Sequence, residues 1–266
     1  MKKTVISVCL SLGLIAFAAA NVATAQPAPS YNPATMPPPN NGVVTPVVQP
    51  GILYIVLGGN GTCNRNGFSS VVPGLKDVIL FDSFNRWFLN SGVVTPADNV
   101  VYTCYEWLSP QMQYFVLRGS RAMAPMHENQ LDGLVGSLMQ NVRKIIIIGH
   151  SHAGWRAMKL ASSPYIGALP VPILLASLDP VSRVTCQRLR DDGCREAPRD
   201  FTQAEWYQLN TRTRWLNLYH QPAMILGSGP MPAAHYNLQV FANHVAIESD
   251  YTVWFNVRQF VMENLR

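Results

Sequence analysis

Four consecutive isoleucines, Ile145 to Ile148, run straight into Gly149-His-Ser-His-Ala-Gly154, and a helix-compatible stretch with Met158, Leu160 and Ala161 follows. Successive strand side chains point to opposite faces of a sheet, so a run that is apolar at every position needs cover on both faces. Four other short runs share this texture: Ile52–Leu57, Val100–Cys104, Pro172–Ala176 and Trp215–Tyr219. Helix-like segments lie between them. Leu131, Leu134, Val135 and Leu138 recur at helical spacing, and Val253, Val257, Phe260 and Val261 form one stripe of a last helix that starts near Ser249, with Asp250 in its first turn. Buried strands alternating with helices predict an α/β domain with a mostly parallel central sheet and helices on both faces.

The domain spans residues 51–266. Residues 1–25 read as a signal peptide: Lys2-Lys3, an apolar stretch from Val5 to Ala20, then Ala23-Thr24-Ala25 before Gln26. Residues 26–50 hold eight prolines and no charge, the composition of an extended spacer. No later segment reaches the roughly 20 apolar residues of a spanning helix, so the expectation is a secreted or periplasmic protein with no integral membrane segment. The formal charge of +5 falls to +3 without Lys2 and Lys3, and no basic run concentrates it. Nucleic-acid binding is therefore not expected. In an oxidising compartment the four remaining cysteines suggest two disulfides. Cys186 and Cys194 enclose a short polar loop and pair with each other, which leaves Cys63 for Cys104. Zinc is the alternative, but no Cys-x-x-Cys pair is present.

The isoleucine strand, the small-residue turn and the following helix are the context that a nucleophile elbow requires. A serine held in such a turn stands clear of the sheet, at a helix N-terminus whose amides and dipole stabilise a developing oxyanion. Gly149, Ala153 and Gly154 supply the small residues that close packing there demands; alanine replaces the usual second glycine. Ser151 is thus the candidate nucleophile. His150 and His152 as metal ligands are the alternative, but no third ligand of suitable spacing stands out, and no cofactor motif is seen.

With Leu57-Gly-Gly-Asn-Gly61, Gly149-His-Ser-His-Ala-Gly154, Ser177-Leu-Asp-Pro180 and Asn243-His-Val-Ala-Ile247 in this order, the chain resembles the α/β-hydrolase superfamily, closest to small secreted bacterial lipase- or esterase-like members. The resemblance implies an acid and then a histidine after the serine, each following a strand. Asp179, after the run 172–176 and before Pro180, fits the acid, one strand earlier than in many relatives. His244, just before the last helix, fits the base; His220 is the alternative, while His235 falls at the wrong end of its stretch. The amides of Asn60 and His152 would form the oxyanion hole, with Gly58-Gly59 allowing close approach. A Cys63–Cys104 bond would fix the oxyanion loop. The implied activity is hydrolysis of small-molecule or lipid esters through an acyl-enzyme, without a cofactor. Thioester or peptide cleavage and acyl transfer use the same machinery, and a non-catalytic binding module on this fold is a further alternative.

Overall fold

The computed structural model describes residues 51–59, 79–104, 113–117, 124–126, 133, 135, 138, 142–187, 192–220 and 226–265, all within the compact unit Val47–Arg266. Residues 1–50, Asn60, Cys63, Leu131, Leu134 and Asp191 lie outside the described residues, and with them the expectations about the signal peptide, the spacer and the Asn60 amide.

Eight strands form one sheet: β1 (Gly51–Gly58), β2 (Asn99–Cys104), β3 (Gln113–Leu117), β4 (Ala124–Met126), β5 (Val142–His150), β6 (Ile173–Leu178), β7 (Thr213–Tyr219) and β8 (Tyr236–Gln239). Their spatial order is β4-β3-β2-β1-β5-β6-β7-β8. The six strands from β2 to β8 across this order, β2-β1-β5-β6-β7-β8, run parallel, and β3 and β4 extend the β2 edge antiparallel. The described helices are α1 (Ile79–Phe84), continued by a π-helical turn Asn85–Leu89, α2 (Ser151–Ala161), α3 (Pro164–Gly167), α4 (Gln203–Arg212) and α5 (Tyr251–Glu263).

The doubly apolar runs divide as the pleat requires. Tyr54, Val56, Ile146, Ile148, Leu174 and Ala176 face a core shared with Phe84 and Phe88 of the α1 region and Trp254 and Val257 of α5. Leu53, Ile55, Ile145, Ile147, Ile173 and Leu175 face the opposite core, shared with Ala157 and Met158 of α2 and Leu209 of α4. Every one of these side chains is at most 3% exposed. At about 1.5–3 kcal/mol for each fully buried large apolar side chain, this two-sided burial is the main force holding the sheet between its helices. The result is an α/β fold, a mostly parallel central sheet with helices on both faces, as the sequence implied. Two boundaries differ. The cap of the last helix is Asp250, whose carboxylate accepts the Val253 amide at 3.0 Å, while Ser249 ends the preceding 3-10 turn. The apolar stretch Leu238–Phe241 that follows His235 overlaps β8, a strand of the same four-residue length that begins two positions earlier, at Tyr236.

The strand order reverses between β1 and β5. The chain leaves β1 for β2 on one side and leaves β5 for β6 on the other, and the helices that follow, α1 and α2, lie in opposite cores. Such a switch point opens a crevice at the carboxyl ends of the two strands.

Candidate active site

Ser151 sits in that crevice, directly after β5 and at the start of α2. Its φ of +58° is in the left-handed region that a non-glycine residue enters only under constraint. The neighbours supply the constraint. A Cβ on Gly149 would come within 2.5 Å of the Ala153 carbonyl oxygen and 2.8 Å of the Ala157 methyl, so only glycine fits. A Cβ on Gly154 would meet the Gly149 oxygen and Pro180 Cα, each at 3.1 Å. Ala153 is fully buried, and its methyl is part of the α2-side core. The displaced glycine of the motif is therefore accommodated: the tight contacts fall on Gly149 and Gly154. The Val181 amide donates to the Ser151 carbonyl at 3.1 Å and ties the elbow to the segment after β6.

Asp179 follows β6 and is fully buried. It too has a positive φ, +45°, and its amide donates to the Leu218 carbonyl at 2.7 Å. Its carboxylate bonds in two directions. Oδ2 lies 2.7 Å from His244 Nδ1, and Oδ1 accepts the His220 amide at 3.0 Å. His244 Nε2 lies 2.8 Å from Ser151 Oγ. The structure therefore brings Ser151, His244 and Asp179 into one hydrogen-bonded chain. His220 meets Asp179 through its backbone amide, and it is His244 that lies within hydrogen-bond reach of Ser151. His235 lies at the opposite end of β8, where Nδ1 accepts the Trp215 amide at 3.3 Å.

The electrostatics suit proton transfer. Burial holds the His244 imidazole below the ordinary histidine value, against the upward pull of its bond to Asp179. The ring is thus neutral at neutral pH: Nδ1–H donates to Asp179, and Nε2 accepts from the Ser151 hydroxyl. His152 is neutral as well. Burial pushes it down to about 4, opposed by the bond that Nδ1–H donates to the Val181 carbonyl at 2.9 Å. Its amide belongs to the first turn of α2, where helix N–H groups point out of the helix end.

Opposite that turn lies Gly59, just past β1. A Cβ there would come within 2.7 Å of both the His150 carbonyl oxygen and Ser151 Cβ. This backbone thus passes close to Ser151, and Asn60 is the next residue along the chain. Cys104, at the end of β2, is disulfide-bonded; Cys63, its expected partner, is outside the described residues. The second pair is seen directly: Cys186 and Cys194 are bridged. They pack with Val181 and the partly buried Leu226, so the disulfide braces the segment whose carbonyl orients His152.

Two residues that sequence reasoning left without a role in the site join it. His150 Nδ1 lies 2.6 Å from Glu248 Oε1, and Nε2 lies 2.8 Å from the His244 carbonyl oxygen. No local pattern marks this pair, which spans 98 positions. Glu205 has a structural place: it forms a capping box with Thr202 and an ion pair with Lys159 at 3.0 Å. Asp200 accepts from Trp155 Nε1 at 2.9 Å. A separate pocket of about 690 Å³, lined by Pro198, Trp206, Tyr207, Pro230 and Pro232, contains none of the three chain-linked residues. Among the described residues, no group of three or more His, Cys, Asp or Glu side chains is disposed to hold a metal ion, and no helix is long and apolar enough to cross a membrane.

No family model and no curated protein matches the chain. Among solved structures, the chain is similar to a protein of Lactobacillus plantarum WCFS1 described as a "putative cell surface hydrolase". The similarity has a TM-score of 0.39 at 8% identity and covers 80% of this chain and 91% of that one.

Proposed function

We propose that the protein is an exported serine hydrolase that cleaves carboxylic esters through an acyl-enzyme on Ser151. The observation that carries this reading is the chain Asp179–His244–Ser151, with contacts of 2.7 and 2.8 Å, ending on a serine at a strained turn. Ser151 Oγ attacks the ester carbonyl carbon while His244 Nε2 takes the hydroxyl proton. Asp179 holds Nδ1–H and stabilises the imidazolium that forms. The carbonyl oxygen becomes an oxyanion, held by the amides of His152 and Asn60. His244 then gives its proton to the departing alkoxide, leaving an acyl-serine. Water attacks the acyl carbon, its proton passes to His244, and the acid departs as that proton returns to Ser151.

Export is supported by the basic and apolar N-terminus with its small-residue cleavage site, and the Cys186–Cys194 bond suits an oxidising compartment. The bond cleaved is the finer part of the proposal, because the same groups serve thioesters and amides. A panel of p-nitrophenyl esters, acyl thioesters and peptides, run with wild type and Ser151→Ala, tests it. Ester hydrolysis that requires Ser151 is the expected result. Turnover confined to thioesters or peptides would reassign the substrate, and full ester turnover by Ser151→Ala would refute the mechanism.

A further inference from the structure

We propose that His150 and Glu248 form a proton-sharing pair that positions the base, an inference that rests on the reading of His244 given above. His150 ends β5 immediately before the nucleophile, and Glu248 ends the 3-10 turn Ala246–Glu248 beyond the base. Each is 4% exposed. The His244 carbonyl oxygen only accepts, so His150 Nε2, 2.8 Å away, carries a proton. The second contact, Nδ1 to Glu248 Oε1 at 2.6 Å, also needs a proton between its atoms. The pair is therefore either imidazolium with carboxylate or imidazole with carboxylic acid. Both forms sum to zero charge, and both keep the Nε2–H donor aimed at the backbone of His244.

This bond supplies a hold on the base that is independent of Asp179. Asp179 fixes the His244 ring through Nδ1, and His150 fixes the main chain that carries the ring. The two imidazoles lie 4.8 Å apart between centroids. The rest of the turn is anchored around them. Asn243 Oδ1 accepts the amides of Val245 and Ala246 at 3.1 and 2.9 Å, and Trp254 Nε1 donates to the Glu248 carbonyl at 2.7 Å. The nucleophile strand and the base turn are thus joined directly, which fixes the separation of Ser151 Oγ and His244 Nε2. A loss of that hold misplaces the proton acceptor, and small misplacements are costly in rate rather than in substrate affinity. His150 and Glu248 are positioning residues in this scheme, since neither reaches the Ser151 hydroxyl.

The test compares Glu248→Ala and Glu248→Gln with wild type by ester kinetics and by the rate and final extent of fluorophosphonate labelling. A glutamine amide can donate to Nδ1 of neutral His150, so it preserves the orientation that alanine abolishes. For Glu248→Ala we expect kcat to fall by about 10–100-fold with KM within about threefold, and labelling to slow while still reaching one adduct per chain. Glu248→Gln should rescue most of the rate. His150→Ala should match Glu248→Ala, and the double variant should be no worse than either, because both act through one bond. If Glu248→Ala does not fold, His150→Phe, which keeps a ring and removes both bonds, carries the same expectation. A folded variant lacking the pair with kcat within about twofold of wild type, or a rise in KM alone, would overturn the inference. An active Ser151→Ala would instead refute the underlying mechanism, so the two failures are distinguishable.

Discussion

Burial is the largest influence on His244 and lowers it, aided by the neighbouring His150 and opposed by the carboxylates of Asp179 and Glu248, with a net downward shift. As the proposed base it must be neutral to take the serine proton, and the downward shift favours the neutral form at and below the ordinary histidine value of about 6.5. The acid limb of kcat/KM should therefore have its midpoint below that value, as a pH–rate profile of the free enzyme would record; a midpoint above it would contradict the assignment. Asp179 makes the converse contribution, since it selects the tautomer with Nε2 free to accept. Asp179→Asn should keep the fold and lower kcat by about 10³–10⁴-fold, measured alongside a circular dichroism spectrum to show that the sheet is intact. The positions of both were legible only through the resemblance, which implies the order serine, acid, histidine and singles out Asp179 after an apolar run and His244 before the last helix. The His150–Glu248 pair was not, because neither partner sits in a local pattern that requires the other, and only the fold brings them together.

At the scale of elements, legibility followed burial. β1, β5 and β6 are covered on both faces and carry continuous apolar runs, and the runs of β2 and β7 are interrupted only by the buried polar residues Thr103 and Asn217. β8 is an edge strand, Tyr236-Asn-Leu-Gln239, exposed at three of its four positions, and its polar residues hide the strand in the sequence. The segment after β6 has little apolar burial among its described residues. Its cluster is small, consisting of Val181, Cys186 and Cys194 with Leu226 against it, and the disulfide compensates. Closing so short a loop is worth about 2–3 kcal/mol on chain-entropy grounds. The Cys186→Ser/Cys194→Ser variant should lose about that much in urea unfolding, and an unchanged midpoint at equal slope would show that the bond does not contribute.

For the molecule as a whole, the reversal of strand order between β1 and β5 explains why residues far apart in the chain converge. Gly59, Ser151, Asp179 and His244 all follow strands that end at the same edge of a parallel sheet, and the crevice at the switch point receives them. The proposed export concerns the whole chain and has its own check. The mature protein should begin at Gln26, which intact mass measurement of material from outside the cytoplasm would establish; a chain still carrying Met1 would contradict the signal-peptide reading. The central claim, that Ser151 is an activated nucleophile, is tested most directly by the mass of the intact protein after reaction with a fluorophosphonate probe. The expected result is a single adduct, mapped to Ser151, which disappears in Ser151→Ala and forms far more slowly in His244→Ala. No adduct on the folded wild type, or an equal adduct on Ser151→Ala, would contradict the account.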